Sequence, residues 1–208
     1  MLHVARRLAV DRGLVSLGLL AADAEAIPLT DRSVSLVTCR IAPHHFADVG
    51  SFVREVARVL TPEGRFLLID SLAPADSELD EQLNELERYR DPSHVRSLGL
   101  AAWCRLLMDA GLQIRRVEVI SRWHEWEDWT ARSGLIVAER EELARWLLSR
   151  ERLCRFLDVQ LQDGGIFRFR DDKVLILAHR PRVSSWMKGQ AASDAASRGI
   201  GTRSLARR

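Results

Sequence analysis

The run Phe66-Leu67-Leu68-Ile69 has no polar side chain on either face. Side chains of a strand alternate between faces, so such a run is soluble only when both faces are covered. This stretch constrains the chain more than any other, because it calls for a strand inside a sheet with helices above and below. Val34 to Cys39 is a second apolar, β-branched run, and Leu17 to Ala22 is a shorter one that ends at Asp23. Between them and the Phe66 strand, Val49 to Leu60 sets Phe52, Val53, Val56, Val59 and Leu60 on one face. Arg54, Glu55 and Arg58 occupy the other. That spacing predicts an amphipathic helix, stopped by Thr61-Pro62-Glu63-Gly64. Strands that alternate with helices predict an α/β domain with a parallel sheet.

The same reading extends to both ends. Met1 to Arg12 has an apolar stripe at helical spacing, with Gly13 as its stop. Asp76 to Arg90 is a charged helix, and Ala101 to Ala110 is another, ended by Gly111. Ile114 to Ile120 alternates as a half-buried strand. Two further helices are predicted near Trp126 to Arg132 and Glu139 to Phe156, then a Gly164-Gly165 turn. Lys173 to His179 is a last strand, paired most simply with Ile114 to Ile120. Trp123, Trp126 and Trp129 recur every three residues, the mark of a packed helix face.

Charge separates the chain into two parts. From Arg180 onward there are seven Lys/Arg and one Asp, a local +6, while the whole chain carries +2. The expected organisation is therefore a domain over 1–180 and a disordered basic tail over 181–208. The tail has Trp186 as its one aromatic and no recognisable nucleic-acid module, so no specific nucleic-acid partner is predicted. Cys39, Cys104 and Cys154 have no CxxC spacing, which predicts no metal site and fits a reducing cytoplasm. No apolar run is long enough to span a bilayer, so no transmembrane segment is predicted.

Ligands of α/β sheets bind at the C-terminal strand edges, which here means Asp23, Cys39 to His45, and Asp70 to Leu72. The residues in these places resemble a known family. Ala22-Asp23-Ala24-Glu25-Ala26-Ile27-Pro28-Leu29 is followed by Asp31, Val34-Ser35-Leu36-Val37-Thr38-Cys39-Arg40 and His44-His45-Phe46. Then come Arg54 to Leu60, Thr61 to Arg65, Leu106-Leu107 and Ala110-Gly111-Leu112. In this order they resemble class I S-adenosylmethionine-dependent methyltransferases of the ubiquinone/menaquinone-biosynthesis-like (type 11) subgroup. The resemblance covers roughly Met1 to Arg180. It implies a Rossmann-like sheet with flanking helices, S-adenosylmethionine as cofactor and a small-molecule methyl acceptor.

Carried over residue by residue, the resemblance places Asp23 and Ala24 at the cofactor's adenine, and Arg40 and Ile41 along its methionine end, where Arg40 contributes backbone or stem contacts or else is a plain surface charge. A carboxylate can accept from an exocyclic amine; the alternative is that Asp23 merely caps a turn. His44 and His45 stand where a general base would act on the acceptor, or else they are loop histidines without chemistry. Tyr89, His94 and Arg96 fall in the subgroup's substrate-side segment, with a solvated helix end as the alternative. Asp70 could face substrate or cap the next turn, and the structural reading is favoured.

Two parts of the family pattern are not found. Gly13 and Gly18 have no partner at GxGxxG spacing, and no second strand ends in an acidic residue for the ribose. The expectation is an incomplete sheet, its first two strands absent, with an exposed strand edge that favours self-association. Three explanations are ranked: a gene read too short, a genuine fragment, or Leu17 to Ala22 sliding over to pair with Val34 to Cys39. Methyl transfer impaired by the missing loop is the leading function. A non-catalytic remnant acting as an interaction or structural protein is the alternative.

Overall fold

Two aspartates open the main helices. Asp48 accepts from Ser51 N at 3.0 Å ahead of α2 (Val49–Val59), and Asp76 accepts from Glu78 N and Leu79 N ahead of α3 (Ser77–Arg90). The computed structural model describes residues 2–182 apart from Val15. In order it contains α1 (Leu2–Asp11), β1 (Val34–Arg40), a 3-10 turn (Pro43–His45), α2, β2 (Leu60–Ala73), α3 and β3 (Leu98–Gly99). These are followed by α4 (Leu100–Asp109), β4 (Gln113–Glu125), α5 (Trp126–Ala131), α6 (Val137–Leu148), α7 (Glu151–Phe156), β5 (Gln160–Gln162) and β6 (Gly165–His179). The predicted tail lies outside the described residues from 183 onward. Among the described residues no helix is long and apolar enough to cross a membrane.

The sheet runs β1-β2-β6-β4, with β3 beside β2 and β5 beside β6. It is an α/β, Rossmann-like sheet with flanking helices, as expected, but it is mixed rather than wholly parallel. β1 and β2 are parallel, while β6 is antiparallel to both β2 and β4. The tight β5–β6 hairpin reverses the chain at Asp163 (φ 52°) and Gly164 (φ 80°), two left-handed residues that match the strand twist. The predicted pairing of the last strand with Ile114 to Ile120 is present, with Ile114 opposite Ala178 and Ile120 opposite Lys173.

One face of this sheet is well covered. Phe52, Val53 and Val56 of α2 and Trp103 and Leu107 of α4 pack with Phe66, Leu68, Val174, Ile176 and Ala178. The other face departs from the expectation of cover on both sides. Leu67, Ile69, Leu175 and Leu177 are only half-buried, and Leu36 is 56% exposed. A second core joins α3, α5, α6 and α7 to the upper part of β6 through Leu86, Trp129, Leu143, Leu153 and Phe169.

Three predicted elements change. Leu17 to Ala22 is not a buried strand: Leu17, Leu19 and Leu20 are exposed, and an isolated Asp23–Ala26 bridge is all the β structure nearby. It does not slide across to pair with β1, so the third explanation fails. An apolar run without a partner strand leaves its backbone groups to water. The helix predicted from Glu139 to Phe156 is broken into α6 and α7 at Ser149 and Arg150. Trp123 lies on β4 under the Arg168 guanidinium (4.5 Å), while Trp126 and Trp129 share α5, so the three do not form one helix face.

Residues 23–33 hang on α2 instead. Arg58 donates to Ile27 O, Leu29 O and Asp31, each at 2.7 Å, and is braced by Glu55, which accepts from Ile27 N at 2.8 Å. Arg58→Ala is therefore expected to speed proteolysis between Ala24 and Asp31 while leaving far-ultraviolet circular dichroism unchanged. An unaltered cleavage rate would show that this clamp does not hold the segment.

Candidate functional site

β1 and β2 run parallel, so their C-terminal ends open on the same side. There the chain leaves β1 through Arg40 and Ile41. Ile41 has φ 49°, a left-handed conformation that is strained for a β-branched residue. Its N–H is held by Ile69 O at 2.8 Å. The 3-10 turn that follows carries His44 onto Asp70, near the C-terminal end of β2. Asp70 accepts from His44 Nδ1 at 2.6 Å and from His44 N at 3.1 Å. Both side chains are buried. A carboxylate only accepts, so the neutral ring carries its proton on Nδ1 and keeps the Nε2 lone pair.

The 91–97 loop closes over this pair. His44 O accepts from Val95 N and Arg96 N. The His94 ring stacks 5.4 Å from His44, and His45 lies 4.2 Å from His44 with its Nδ1 at Ser93 O. Asn84 Oδ1 accepts from His94 Nε2 (2.9 Å) and Ser97 N (2.7 Å), anchoring the loop to α3. Burial, then the neighbouring imidazoles of His44 and His45, push His94 down to about 3. The ring is neutral at ordinary pH.

A cavity of about 290 Å³ opens beside His44. Arg40, Ile41 and Ser71 line it from the strand ends, Glu87 and Arg90 from α3, and Lys173 from β6. Arg122 and His124 of β4, and Trp129 and Arg132, close the far wall. His124 forms a second buried pair, its Nε2 3.0 Å from Asp171 Oδ1. Burial raises Asp171, but His124 and Lys173 outweigh it and the carboxyl sits below its usual range.

The structure brings His44, His45 and His94 together and sets Arg40 and Ile41 on the same cavity. Asp23 and Ala24 stand apart, ahead of β1, where Asp23 Oδ1 accepts from Glu25 N at 2.8 Å and Ala24 packs against the main core. Tyr89 packs into the second core, and Arg96 is paired with Asp80 and Glu81, so neither lines the cavity. Sequence reasoning passed over Arg122, His124, Lys173 and the Asp70 contact. The signal available was the set of polar residues Ser121, Arg122, His124 and Glu125 around Trp123, directly after Ile120, which continues β4 to the cavity.

Comparisons with known proteins agree with this architecture. A family model described as a methyltransferase domain matches residues 1–68. The Escherichia coli (strain K12) protein YafE is 33% identical over 180 residues, 86% of each chain. BH2331 from Bacillus halodurans C-125 superposes with a TM-score of 0.84 at 32% identity, covering 86% of this chain and 78% of that one. The chain belongs to the class I S-adenosylmethionine-dependent methyltransferases. The uncharacterized methyltransferase YcgJ of Bacillus subtilis (strain 168) is 41% identical over 142 residues, 68% of this chain. By sequence the chain spans only 56% of YcgJ's length, although the YcgJ crystal structure superposes at TM-score 0.83 and 33% identity over 88% of this chain and 79% of that one. Solved structures below 25% identity, including a [4+2]-cyclase at TM-score 0.53, share the methyltransferase fold alone.

Burial of His94 leads to the expectation that the 91–97 loop is acid-sensitive. Folding depresses the ring's proton affinity from 6.5 to about 3, so the unfolded chain binds the extra proton. The associated stability is complete above pH 6.5 and is lost as pH falls from 6.5 toward 3. His94→Gln keeps a donor for Asn84 and does not titrate. The drop in urea midpoint between pH 7 and pH 4 is expected to be smaller in this variant than in the parent, and an equal drop would place the acid sensitivity elsewhere.

Proposed function

We propose that this protein transfers a methyl group from S-adenosylmethionine to a small-molecule acceptor, with His44 as the general base. The observation that carries this reading is the buried His44–Asp70 pair at the open ends of β1 and β2, on the wall of a cavity. The bound cofactor would supply an electrophilic methyl on a sulfonium leaving group. This chain's residues then align the acceptor and remove its proton. His44 Nε2 takes the proton from an O–H, N–H or acidic C–H of the acceptor. Asp70 holds the ring and balances the imidazolium that forms.

The cofactor-side residues fit such a ligand. Asp23 Oδ2 has no hydrogen-bond partner among the described residues, which leaves an acceptor for the adenine amine. Arg40 offers a guanidinium for the methionine carboxylate, beside the strained turn at Ile41. With no GxGxxG spacing in the chain, affinity for S-adenosylmethionine is expected to be weak by calorimetry. Micromolar binding would mean that such a loop is not required.

At saturating S-adenosylmethionine, His44→Gln is expected to slow labelled-methyl transfer by about 10²–10⁴-fold, the usual worth of a general base. Asp70→Asn should slow it too, by letting the ring take the wrong tautomer. Full activity in His44→Gln would remove the base from the mechanism.

The second reading, a non-catalytic interaction protein, is favoured by one observation. β1 pairs with β2 on one side, its other edge is unpaired among the described residues, and Leu36 is exposed there. A chain that self-associates in sedimentation, loses that association in Leu36→Lys and binds no S-adenosylmethionine would establish it.

A further inference from the structure

The charges around the His44 cavity are unequal, and the imbalance is not resolved within the fold. Five basic residues line it (Arg40, Arg90, Arg122, Arg132 and Lys173), against one acidic residue, Glu87. Two of the five are already occupied. Arg90 pairs with Glu87 at 2.9 Å and stacks on Trp129, and Lys173 donates to Asp171 at 2.7 Å and to Ser71 at 2.8 Å. Arg40, Arg122 and Arg132 form no ion pair among the described residues. Asp171 stands opposite Arg122 across the β4–β6 ladder, yet its carboxylate is taken by His124 and Lys173. Arg132 donates only from Nε to a backbone carbonyl, Asp128 O at 3.1 Å, so its terminal nitrogens have no partner among the described residues.

Like charges gathered around one small cavity repel each other, and exposed arginines gain nothing from that placement. Two arginine forks from separate elements instead make a site for a planar or tetrahedral anion, because each guanidinium can donate two parallel hydrogen bonds. Arg122 and Arg132 also line an adjoining cavity of about 470 Å³, where Glu125 and Asp128 supply acidic groups. Basic and acidic lining residues balance in that adjoining cavity, whereas basic residues exceed acidic ones in the His44 cavity. Arg40 is left for the cofactor.

We infer that Arg122 and Arg132 bind an anionic group on the methyl acceptor, a carboxylate or a phosphate, and so fix the acceptor's reactive end toward His44. Calling the ligand an acceptor rests on the methyltransferase reading. Anion binding itself does not, and it is measured without turnover.

The test is an NMR titration of the full chain with benzoate, phenyl phosphate and the neutral benzamide. Benzoate or phenyl phosphate should bind at least about tenfold more tightly than benzamide, with affinity falling as potassium chloride rises. Whichever anion is preferred identifies the acceptor's group. Arg122→Gln and Arg132→Gln should each weaken that binding about tenfold, and Arg132→Lys should restore part of it. Arg115→Gln, remote on β4, should leave it unchanged. Equal binding of benzamide and the anions, or anion binding indifferent to both glutamine variants, would overturn the inference. Anion binding by the unaltered chain with no detectable methyl transfer would count against the catalytic reading alone.

Discussion

β6 lies antiparallel between β2 and β4, and the rest of the molecule depends on that insertion. Its lower half, Val174, Ile176 and Ala178, completes the core under α2 and α4. Its upper half, Ile166 and Phe169, enters the second core with α3 and the helices after β4. The two cores thus share one continuous strand. Between them, where β6 passes the open end of β2, it delivers Lys173 to the cavity wall and Asp171 to a place beside it, where it accepts from Lys173 and pairs with His124. Both of its ladders are hydrogen-bonded along their length, so the position of these two residues is set by backbone register rather than by side-chain choice.

The cavity inherits its electrostatics from this arrangement. Buried carboxylates at Asp70, Asp171 and Glu87 are each matched by a donor within hydrogen-bond distance, which offsets the cost of removing them from water. The arginines at the rim remain partly solvated, so they can be held near one another without that cost. Rigid paired groups behind and unpaired cations in front leave the base and the charged rim available to a ligand. The strained Ile41 turn fits the same picture, since such conformations persist only where surrounding structure holds them.

The sequence revealed much of the fold because burial leaves periodic marks. Phe52, Val53, Val56 and Val59 signalled α2, Phe66 to Ile69 signalled β2, and the pairing of Lys173 to His179 followed from the remaining alternating strand. The same logic failed at Leu17 to Ala22. Hydrophobicity specifies that a run favours burial, but whether a partner strand stands beside it is decided elsewhere in the chain. At the site, His44, His45 and His94 were legible as candidates by their chemistry and position. Asp70 looked structural because its partner lies 26 residues away. Arg122 and Arg132 carry no mark in the sequence that separates them from ordinary surface charge.

By itself, then, the sequence determined the class of fold, the family to which the chain belongs, and the strand ends where chemistry would gather. Those are properties of local pattern, set by side-chain period, turn residues and short motifs. Tertiary structure alone decided that β6 would run antiparallel inside the sheet, that His44 would rest on Asp70, and that arginines from β4 and the end of α5 would converge on one cavity. These outcomes depend on distances between residues far apart in the chain, which strand register and helix packing set and local pattern does not encode.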